Sequence, residues 1–300
     1  MANNETIQSQ DGSSPWLKEG LFNGVQFASD KSKTESTAED AIGDLPTTSV
    51  DPTCQSYLQI INRRGKMESV KDYLSKMLTS QPKTYASADD FEKDNPDYFE
   101  IIDKTLPYSE QKALQEYSGT RFAWINSVAR GIWDYDKLGR KTPELESHIK
   151  STIQEISSAI EKAPAPKEDF VTFRGTNLDG FRNYGVRSIS DLSKLQGQFM
   201  LEKGFTSTAI ERDKSFADRD VSTLWIGTSN IRVNYHIPSG SRTGVALLSD
   251  DLSYSAGQTE YLINRNSLVY VSNIMFDKEN HATIDAVVIP QDVYEDGAPR

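Results

Sequence analysis

The stretch Ser249-Asp-Asp-Leu-Ser-Tyr-Ser-Ala-Gly-Gln-Thr-Glu-Tyr-Leu-Ile263 joins a loop of small and polar residues to an apolar strand. Gln258 and Glu260 lie two positions apart at the junction. Because successive side chains alternate in a strand, the pattern predicts that the amide and the carboxylate share one face, while Thr259 points to the other. Such a pair is suited to grip a substrate from one wall of a cleft. Taken alone, so short a signal favours an ordinary edge hairpin with a polar entrance.

The composition is that of a globular protein with one large domain or two small ones. Of the 300 residues, 36% are hydrophobic and 10% aromatic, which is enough to fill a core. The net charge of −11 disfavours binding to nucleic acid or to an anionic membrane surface. Cys54 is the only cysteine, so an intrachain disulfide, a thiolate zinc site and an iron–sulfur cluster are excluded. No segment has the length and apolarity of a membrane span. We expect the protein to be a monomer.

The N-terminal residues 1–55 differ in composition from the rest of the chain. They are rich in Ser, Thr, Asn, Gln, Asp and Gly, which is typical of disordered segments. Up to Asp51 they hold nine acidic residues and three lysines, a net charge of −6. They lack the basic and apolar regions of a secretory signal peptide. Two interpretations stay open: a solvating acidic tail, or an uncleaved export signal of the kind that injected bacterial effectors carry.

Helical patterns fill residues 56–165, and strand patterns fill residues 166–296. Asn95-Pro96 predicts a break between two helices, and Thr142-Pro143-Glu144 is a typical helix start, with a hydroxyl cap and a proline in the first turn. The predicted strands are 170–173, 204–208, 231–237, 245–248, 260–263, 268–271 and 284–289. Helices followed by strands predict an α+β domain over 56–296, with a helical lobe packed on a β-rich core.

Three more motifs carry polar groups suited to binding. Phe173-Arg174-Gly175 ends the first predicted strand. Its arginine is either part of a structural salt bridge or a fork of donors for a pyrophosphate, next to a glycine that exposes backbone amides. Gly204-Phe-Thr-Ser-Thr-Ala209 puts hydroxyls on both faces of a second strand, where such residues are usually only tolerated. In the helical part, the aromatic Phe122 precedes Asn126 by four positions.

In the order Arg, then Ser-Thr, then Gln-x-Glu, these motifs resemble the R-S-E class of mono-ADP-ribosyltransferases with a Q-x-E motif, which includes C3-like exoenzymes and bacterial effectors. The resemblance covers roughly residues 60–295. It implies the ADP-ribosyltransferase fold, in which an N-terminal helical lobe packs on two roughly perpendicular antiparallel β-sheets with NAD between them. It also implies transfer of ADP-ribose from NAD to a protein.

The resemblance implies a role for each residue that matches a family motif. Arg174 would bind the NAD phosphates, and the backbone around Gly175 would hold the nicotinamide amide. Ser207 would orient Glu260, whose carboxylate would stabilise the positively charged transition state as nicotinamide leaves. Further cofactor contacts would come from Phe122, Asn126, Thr208 and Phe216. The family triplet Ser-Thr-Ser ends in Ala209 here, which is a departure from the pattern.

Gln258 bears on the acceptor. In this family a glutamate at that position accompanies arginine acceptors, and a glutamine accompanies other acceptors. Glutamine can hydrogen-bond an amide or a hydroxyl, whereas a carboxylate is suited to hold a guanidinium. We therefore expect Asn, Gln or Thr to be modified in a host regulatory protein such as a small GTPase or ubiquitin. Tyr254 is the expected aromatic contact, although C3-like toxins place theirs at a different offset.

The implied reaction uses NAD as a substrate and needs no metal. The three histidines, His148, His236 and His281, are scattered along the chain, which favours structural roles. On the effector interpretation the protein is made in a bacterial cytoplasm and acts in a host cytosol. Two alternatives stay open: an NAD glycohydrolase, in which water is the acceptor, and a catalytically silent binding module. Arg174, Ser207 and Glu260 are all present, which counts against the silent binding module.

Overall fold

The computed structural model describes residues 48–133, 139–215, 230–249, 251–254, 256–278 and 281–295. As the sequence predicts, most helices precede the sheet. They are α1 (Pro52–Arg63), α2 (Met67–Thr79), α3 (Ala88–Asp94), α4 (Tyr98–Thr105), α5 (Tyr108–Glu116), α6 (Phe122–Ala129), α7 (Pro143–Lys162) and, after the sheet, α8 (Gln291–Tyr294). The segment Tyr117–Arg121 separates α5 from α6 and is kinked at Gly119, whose φ of −83° and ψ of −133° are not helical. No helix among the described residues is long and apolar enough to span a membrane.

The helix boundaries follow from local chemistry. The predicted break at Asn95-Pro96 is confirmed, because α3 ends before it and α4 begins after it. The predicted start of α7 is also confirmed: the Thr142 hydroxyl accepts a hydrogen bond from the Leu145 N–H at 3.2 Å, and Pro143 occupies the first turn.

The first helix begins earlier than the composition suggested. Asp51 caps α1, its carboxylate accepting from the Thr53 and Cys54 N–H groups at 3.1 and 3.3 Å. Cys54 is fully buried. The expected boundary at residue 55 therefore falls inside a helix, because polar residues that suit a disordered tail also suit a helix cap. The expected tail over residues 1–47 lies outside the described residues.

The strands are β1 (Phe170–Thr176), β2 (Phe199–Glu202), β3 (Thr206–Ala209), β4 (Ile231–Ile237), β5 (Gly244–Leu247), β6 (Glu260–Ile263), β7 (Ser267–Phe276) and β8 (Ala282–Ile289). They pair in the order β2-β7-β8-β4-β1-β3-β6-β5. Strands β1 and β3 share only the pair Phe173 and Ala209, so the sheet divides there into a five-stranded and a three-stranded part. The α+β class is confirmed. The two expected sheets are joined at this pair, and β4 and β8 run parallel, whereas we expected antiparallel strands throughout.

The two faces of the five-stranded part carry separate layers. Along β2, Phe199 and Leu201 pack with α1 and α2, while Met200 between them packs with the larger core on the other face. This is the alternation expected of a strand buried on both sides. Helices α3 to α7 contribute to that larger core, which also includes the three-stranded part. Helices α3 to α7 thus pack on the face from which Arg174 also projects, since Arg174 lies opposite Val233 of that core.

Candidate active site

A cleft of about 860 Å³ lies beside the point where the two parts of the sheet meet, and both Phe173 and Ala209 line it. Eight of the residues singled out in the sequence also line this cleft. They are Phe122, Asn126, Arg174, Gly175, Ser207, Thr208, Gln258 and Glu260. Motifs that are far apart in the sequence therefore converge on one cavity. Its size is within the range of small-molecule binding sites.

Glu260 is the first residue of β6 and is only 6% exposed. Burial raises the pKa of its carboxyl group, while a hydrogen bond from the Ser207 side chain and the charge of Arg174 lower it. Ser207 lies on the neighbouring strand β3, two residue pairs along the ladder from Glu260 and therefore on the same side of the sheet. The site thus buries a carboxyl group and supplies the two partners that favour its charged form.

Arg174 connects the two parts of the sheet. Its Nη1 donates a hydrogen bond to the Ser207 carbonyl oxygen at 2.7 Å. Because β1 and β3 share a single residue pair, this bond adds a link at the weakest point of the sheet. Arg174, Ser207 and Glu260 come from three different strands and interact with one another. The three positions that the sequence motifs singled out thus form one cluster.

Asn126 and Thr208 use their polar groups within the protein. The Asn126 amide accepts from the Phe205 N–H at 2.8 Å and donates to the Tyr117 hydroxyl at 3.0 Å. That hydroxyl in turn donates to the Phe205 carbonyl at 3.3 Å. The Thr208 hydroxyl donates to the Tyr261 carbonyl at 2.7 Å, which ties β3 to β6. These side chains therefore hold the cleft walls together.

An ion pair that the sequence reasoning missed lies at the same wall. Arg130 donates to one carboxylate oxygen of Glu202 from Nε at 3.2 Å and from Nη2 at 2.8 Å. The Gly204 N–H donates to the same oxygen at 3.0 Å. A Cβ on Gly204 would lie 2.9 Å from Arg130 and from the Asn126 oxygen, so the close approach requires glycine. The available signal was spacing, because Arg130 follows Asn126 by four residues and shares its helix face.

The expected geometry of Gln258 and Glu260 is corrected. The strand begins only at Glu260, and Gln258 ends a 3₁₀ turn, Ala256–Gln258. Thr259 between them has a φ of 50°, in the left-handed region, so strand alternation does not apply. Both side chains still line the cleft, Gln258 from an exposed position and Glu260 from a buried one. The two side chains therefore reach the cleft from a turn and from a strand, and not from one strand face.

The remaining predicted contacts lie at the rim or beyond it. Phe122 is 47% exposed at the cleft wall. Tyr254 is 73% exposed and is not part of the cleft lining, although its N–H donates to the Ser118 hydroxyl at 2.9 Å and Ser118 lines the cleft. Phe216 lies outside the described residues. Among the residues that the structure describes, no three His, Cys, Asp or Glu side chains lie close enough together to hold a metal ion.

The family model of the ADP-ribosyltransferase exoenzymes matches residues 92–291, which are 200 of the 300 residues. No curated protein sequence matches the chain. Three solved structures share its fold and each covers 70% of it. They are C3stau2 from S. aureus with NAD (19% identity, TM-score 0.53, all of that chain), the Clostridium limosum C3 exoenzyme (20%, 0.50, 98%) and the enzymatic component C2-I of the C2 toxin from Clostridium botulinum (18%, 0.50, 50%).

The family match covers two thirds of the chain and includes all the described motif residues of the cleft. The sequence resemblance is thereby confirmed. The chain belongs to the ADP-ribosyltransferase exoenzyme family and is an NAD-dependent mono-ADP-ribosyltransferase.

Proposed function

We propose that the chain transfers ADP-ribose from NAD to an amide or hydroxyl side chain, that of Asn, Gln or Thr, in a host regulatory protein. The observation that carries this proposal is the arrangement of Gln258 and Glu260. Glu260 is buried, while Gln258, two residues earlier, lines the same cleft from an exposed position. An exposed side chain at that place can reach a group that arrives from solution.

The buried cluster performs the first half of the reaction. Breaking the bond between nicotinamide and ribose develops positive charge on the ribose, and a fixed carboxylate stabilises that charge. We assign this role to Glu260. Ser207 keeps the carboxylate ionised and oriented, as its hydrogen bond lowers the pKa that burial raises. Arg174 is assigned to the NAD phosphates, which its remaining guanidinium N–H groups can bind. The backbone around Gly175 is assigned to the nicotinamide amide.

Further residues that line the cleft hold the other half of the dinucleotide in this proposal. Phe122 offers an exposed ring, and Asn126 fixes the wall through Tyr117 and Phe205. Thr208 helps to position Glu260, because its hydroxyl bonds β6, the strand that begins with Glu260. Phe216 is the proposed aromatic contact to nicotinamide.

Gln258 selects the acceptor. Its amide can donate to and accept from the amide or hydroxyl of an acceptor side chain, whereas it offers a guanidinium only a single neutral oxygen. A small GTPase or ubiquitin has the class of acceptor we propose. With a net charge of −11, the chain suits a partner that presents a basic face.

The organisation of the chain fits delivery to such a partner. We propose that the acidic N-terminal segment serves as an export signal. The transferase domain then follows it to residue 296, with the helical lobe up to residue 165 and the β-rich core after it. On this proposal the protein is made in a bacterial cytoplasm and injected into a host cell.

The test separates transfer from hydrolysis. The protein and its Glu260→Ala and Gln258→Ala variants are incubated with biotin-labelled NAD and a soluble eukaryotic lysate, and released nicotinamide is measured without lysate. Glu260→Ala should abolish both labelling and nicotinamide release. Gln258→Ala should reduce labelling by roughly 10- to 100-fold while nicotinamide release stays within about threefold. Gln59→Ala, an exposed glutamine on α1, is the matched control.

Mass spectrometry of the labelled band then identifies the modified side chain. Modified arginine, or an equal loss of both activities in Gln258→Ala, would contradict the acceptor assignment. Nicotinamide release without any labelled band would favour the NAD glycohydrolase. Absence of both activities would favour the silent binding module.

A further inference from the structure

Tyr254 is an exposed aromatic residue that directly follows two buried residues, Leu252 and Ser253. The side chains of Leu252 and Ser253 are buried, and both of their N–H groups donate to the Ser249 carbonyl at 3.0 Å. The Tyr254 side chain is 73% exposed. The backbone is therefore anchored at the point where the ring projects. Tyrosines in such positions are enriched among the residues that dominate binding energies at protein interfaces.

The contact that orients Tyr254 comes from the kinked segment Tyr117–Arg121. The Tyr254 N–H donates to the Ser118 hydroxyl at 2.9 Å. The ring lies against Gly119, where an added Cβ would come within 2.9 Å of Cδ2 and 3.4 Å of Cε2. Glycine is therefore the residue that lets the ring occupy this place.

The same segment, Tyr117–Arg121, also contributes to the cleft that we propose binds NAD. Tyr117, its first residue, is buried and hydrogen-bonded to Asn126 and Phe205 at the cleft wall. Ser118 and Gly119 line the cleft themselves, as does Gln258. The kink at Gly119 lies within this segment. The segment thus contacts the cleft wall on one side and Tyr254 on the other.

We infer that Ser118 and Gly119 are positioning residues for the protein acceptor, because they fix the Tyr254 ring beside the cleft. This inference rests on the proposed function, in which Tyr254 contacts the acceptor. The hydrolytic half of the reaction uses the cluster of Arg174, Ser207 and Glu260, and Tyr254 is not among the described residues that line the cleft around this cluster. A change in Gly119 should therefore affect transfer to protein and spare nicotinamide release.

The experiment is a double-mutant cycle on the full chain. Gly119→Ala, Tyr254→Ala and the double variant are compared in two assays: nicotinamide release without acceptor, and biotin labelling of a soluble eukaryotic lysate. Each single variant should reduce labelling by roughly 10- to 100-fold and leave nicotinamide release within about threefold. The double variant should label no less than Tyr254→Ala alone, because the added methyl acts only through the ring.

Gly257→Ala is the matched control. Gly257 lies near Tyr254 in the sequence, its φ is outside the left-handed region, and an added Cβ would meet nothing within 4 Å. This variant should label like the parent. Ser118→Ala, which removes the bond to the Tyr254 N–H, should reduce labelling in the same direction as Gly119→Ala.

Two results would overturn the inference. If Gly119→Ala lowers labelling by the same factor with and without the Tyr254 ring, it acts elsewhere. If it lowers nicotinamide release as much as labelling, it distorts the cleft. If the parent labels no lysate protein, that result contradicts the proposed function but does not test the positioning role of Ser118 and Gly119. Hydrogen exchange then tests that role. The Tyr254 amide should then exchange faster in Ser118→Ala and Gly119→Ala than in the parent, and unchanged exchange would overturn the inference.

Discussion

Ser207 and Glu260 form the pair whose chemistry depends most on protonation. Burial raises the pKa of Glu260, and the Ser207 hydrogen bond opposes that shift. On the proposed function, activity requires the ionised Glu260 carboxylate, so activity should fall as the pH drops through the raised pKa. In Ser207→Ala the opposing bond is lost, and the acid limb of the pH profile should move to higher pH. Loss of a hydrogen bond to a charged group should also lower nicotinamide release near neutral pH by roughly 10- to 100-fold.

The rate of nicotinamide release, measured across the acid range for parent and variant, tests this prediction. Ser56→Ala serves as control, because the Ser56 hydroxyl bonds only the Pro52 carbonyl on an exposed part of α1. An acid limb at the same pH in parent and Ser207→Ala would show that Ser207 does not act on the Glu260 carboxylate.

At the residue scale the sequence predicted side chains that lie in local motifs and missed those that depend on tertiary contacts. Arg174, Ser207 and Glu260 each stand in a short strand motif, and the cleft brings them together. The Arg130–Glu202 pair joins a helix to a strand 72 positions away. The spacing from Asn126 indicates the helix face of Arg130, but no local pattern predicts its partner Glu202. Thr259 adopts a left-handed φ that a β-branched residue rarely shows, so the turn before β6 was not predictable either.

At the scale of elements, the docking of α2 on the sheet brings a histidine into the interior. The His236 ring on β4 is 6% exposed, with Ser80 at the end of α2 within 3.4 Å and the Asp169 carboxylate at 4.0 Å. Burial lowers the pKa of His236 to about 4. Below its ordinary pKa the unfolded chain therefore binds a proton that the folded chain does not, and stability falls as the pH drops towards the folded value.

The difference between the unfolded and folded pKa of His236 predicts that protonation of this residue alone lowers the free energy of unfolding. The loss should be about 2 kcal/mol between about pH 7.5 and about pH 5. His236→Gln should lose less over the same range, measured by urea unfolding at the two pH values. His281→Gln, at an exposed position, should behave like the parent. An equal pH dependence in parent and His236→Gln would refute the assignment.

Element boundaries were predictable where capping residues or proline mark them, as at Thr142 and Pro96. Strand β2 was missed, because its four residues form a brief apolar run with no polar alternation. Such a run does not distinguish a strand from a helix segment. Its assignment comes from pairing with β7, a contact across about 70 residues of sequence that no local pattern contains.

At the scale of the whole molecule, the start of the folded domain decides which truncated proteins are stable. The Ser49 hydroxyl donates to the Phe199 carbonyl at 2.7 Å, and the Phe199 N–H donates to the Thr48 carbonyl at 3.3 Å. Residues 48–51 thus continue along the edge of β2 before α1 begins. Composition alone set the boundary several residues later, since it cannot distinguish a polar segment that caps a helix from one that is solvated.

Two truncated proteins test this boundary. Removal of residues 1–47 keeps the Asp51 cap, buried Cys54 and the contacts to Phe199, so the free energy of unfolding and nicotinamide release should match those of the full chain. Removal of residues 1–55 deletes all three and should lower the free energy of unfolding by about 2 to 4 kcal/mol, from the lost cap, the lost burial and the lost hydrogen bonds. Urea unfolding measures both. Equal stability of the two truncated proteins would place the boundary at residue 56, whereas instability of both would show that the domain requires residues before Thr48.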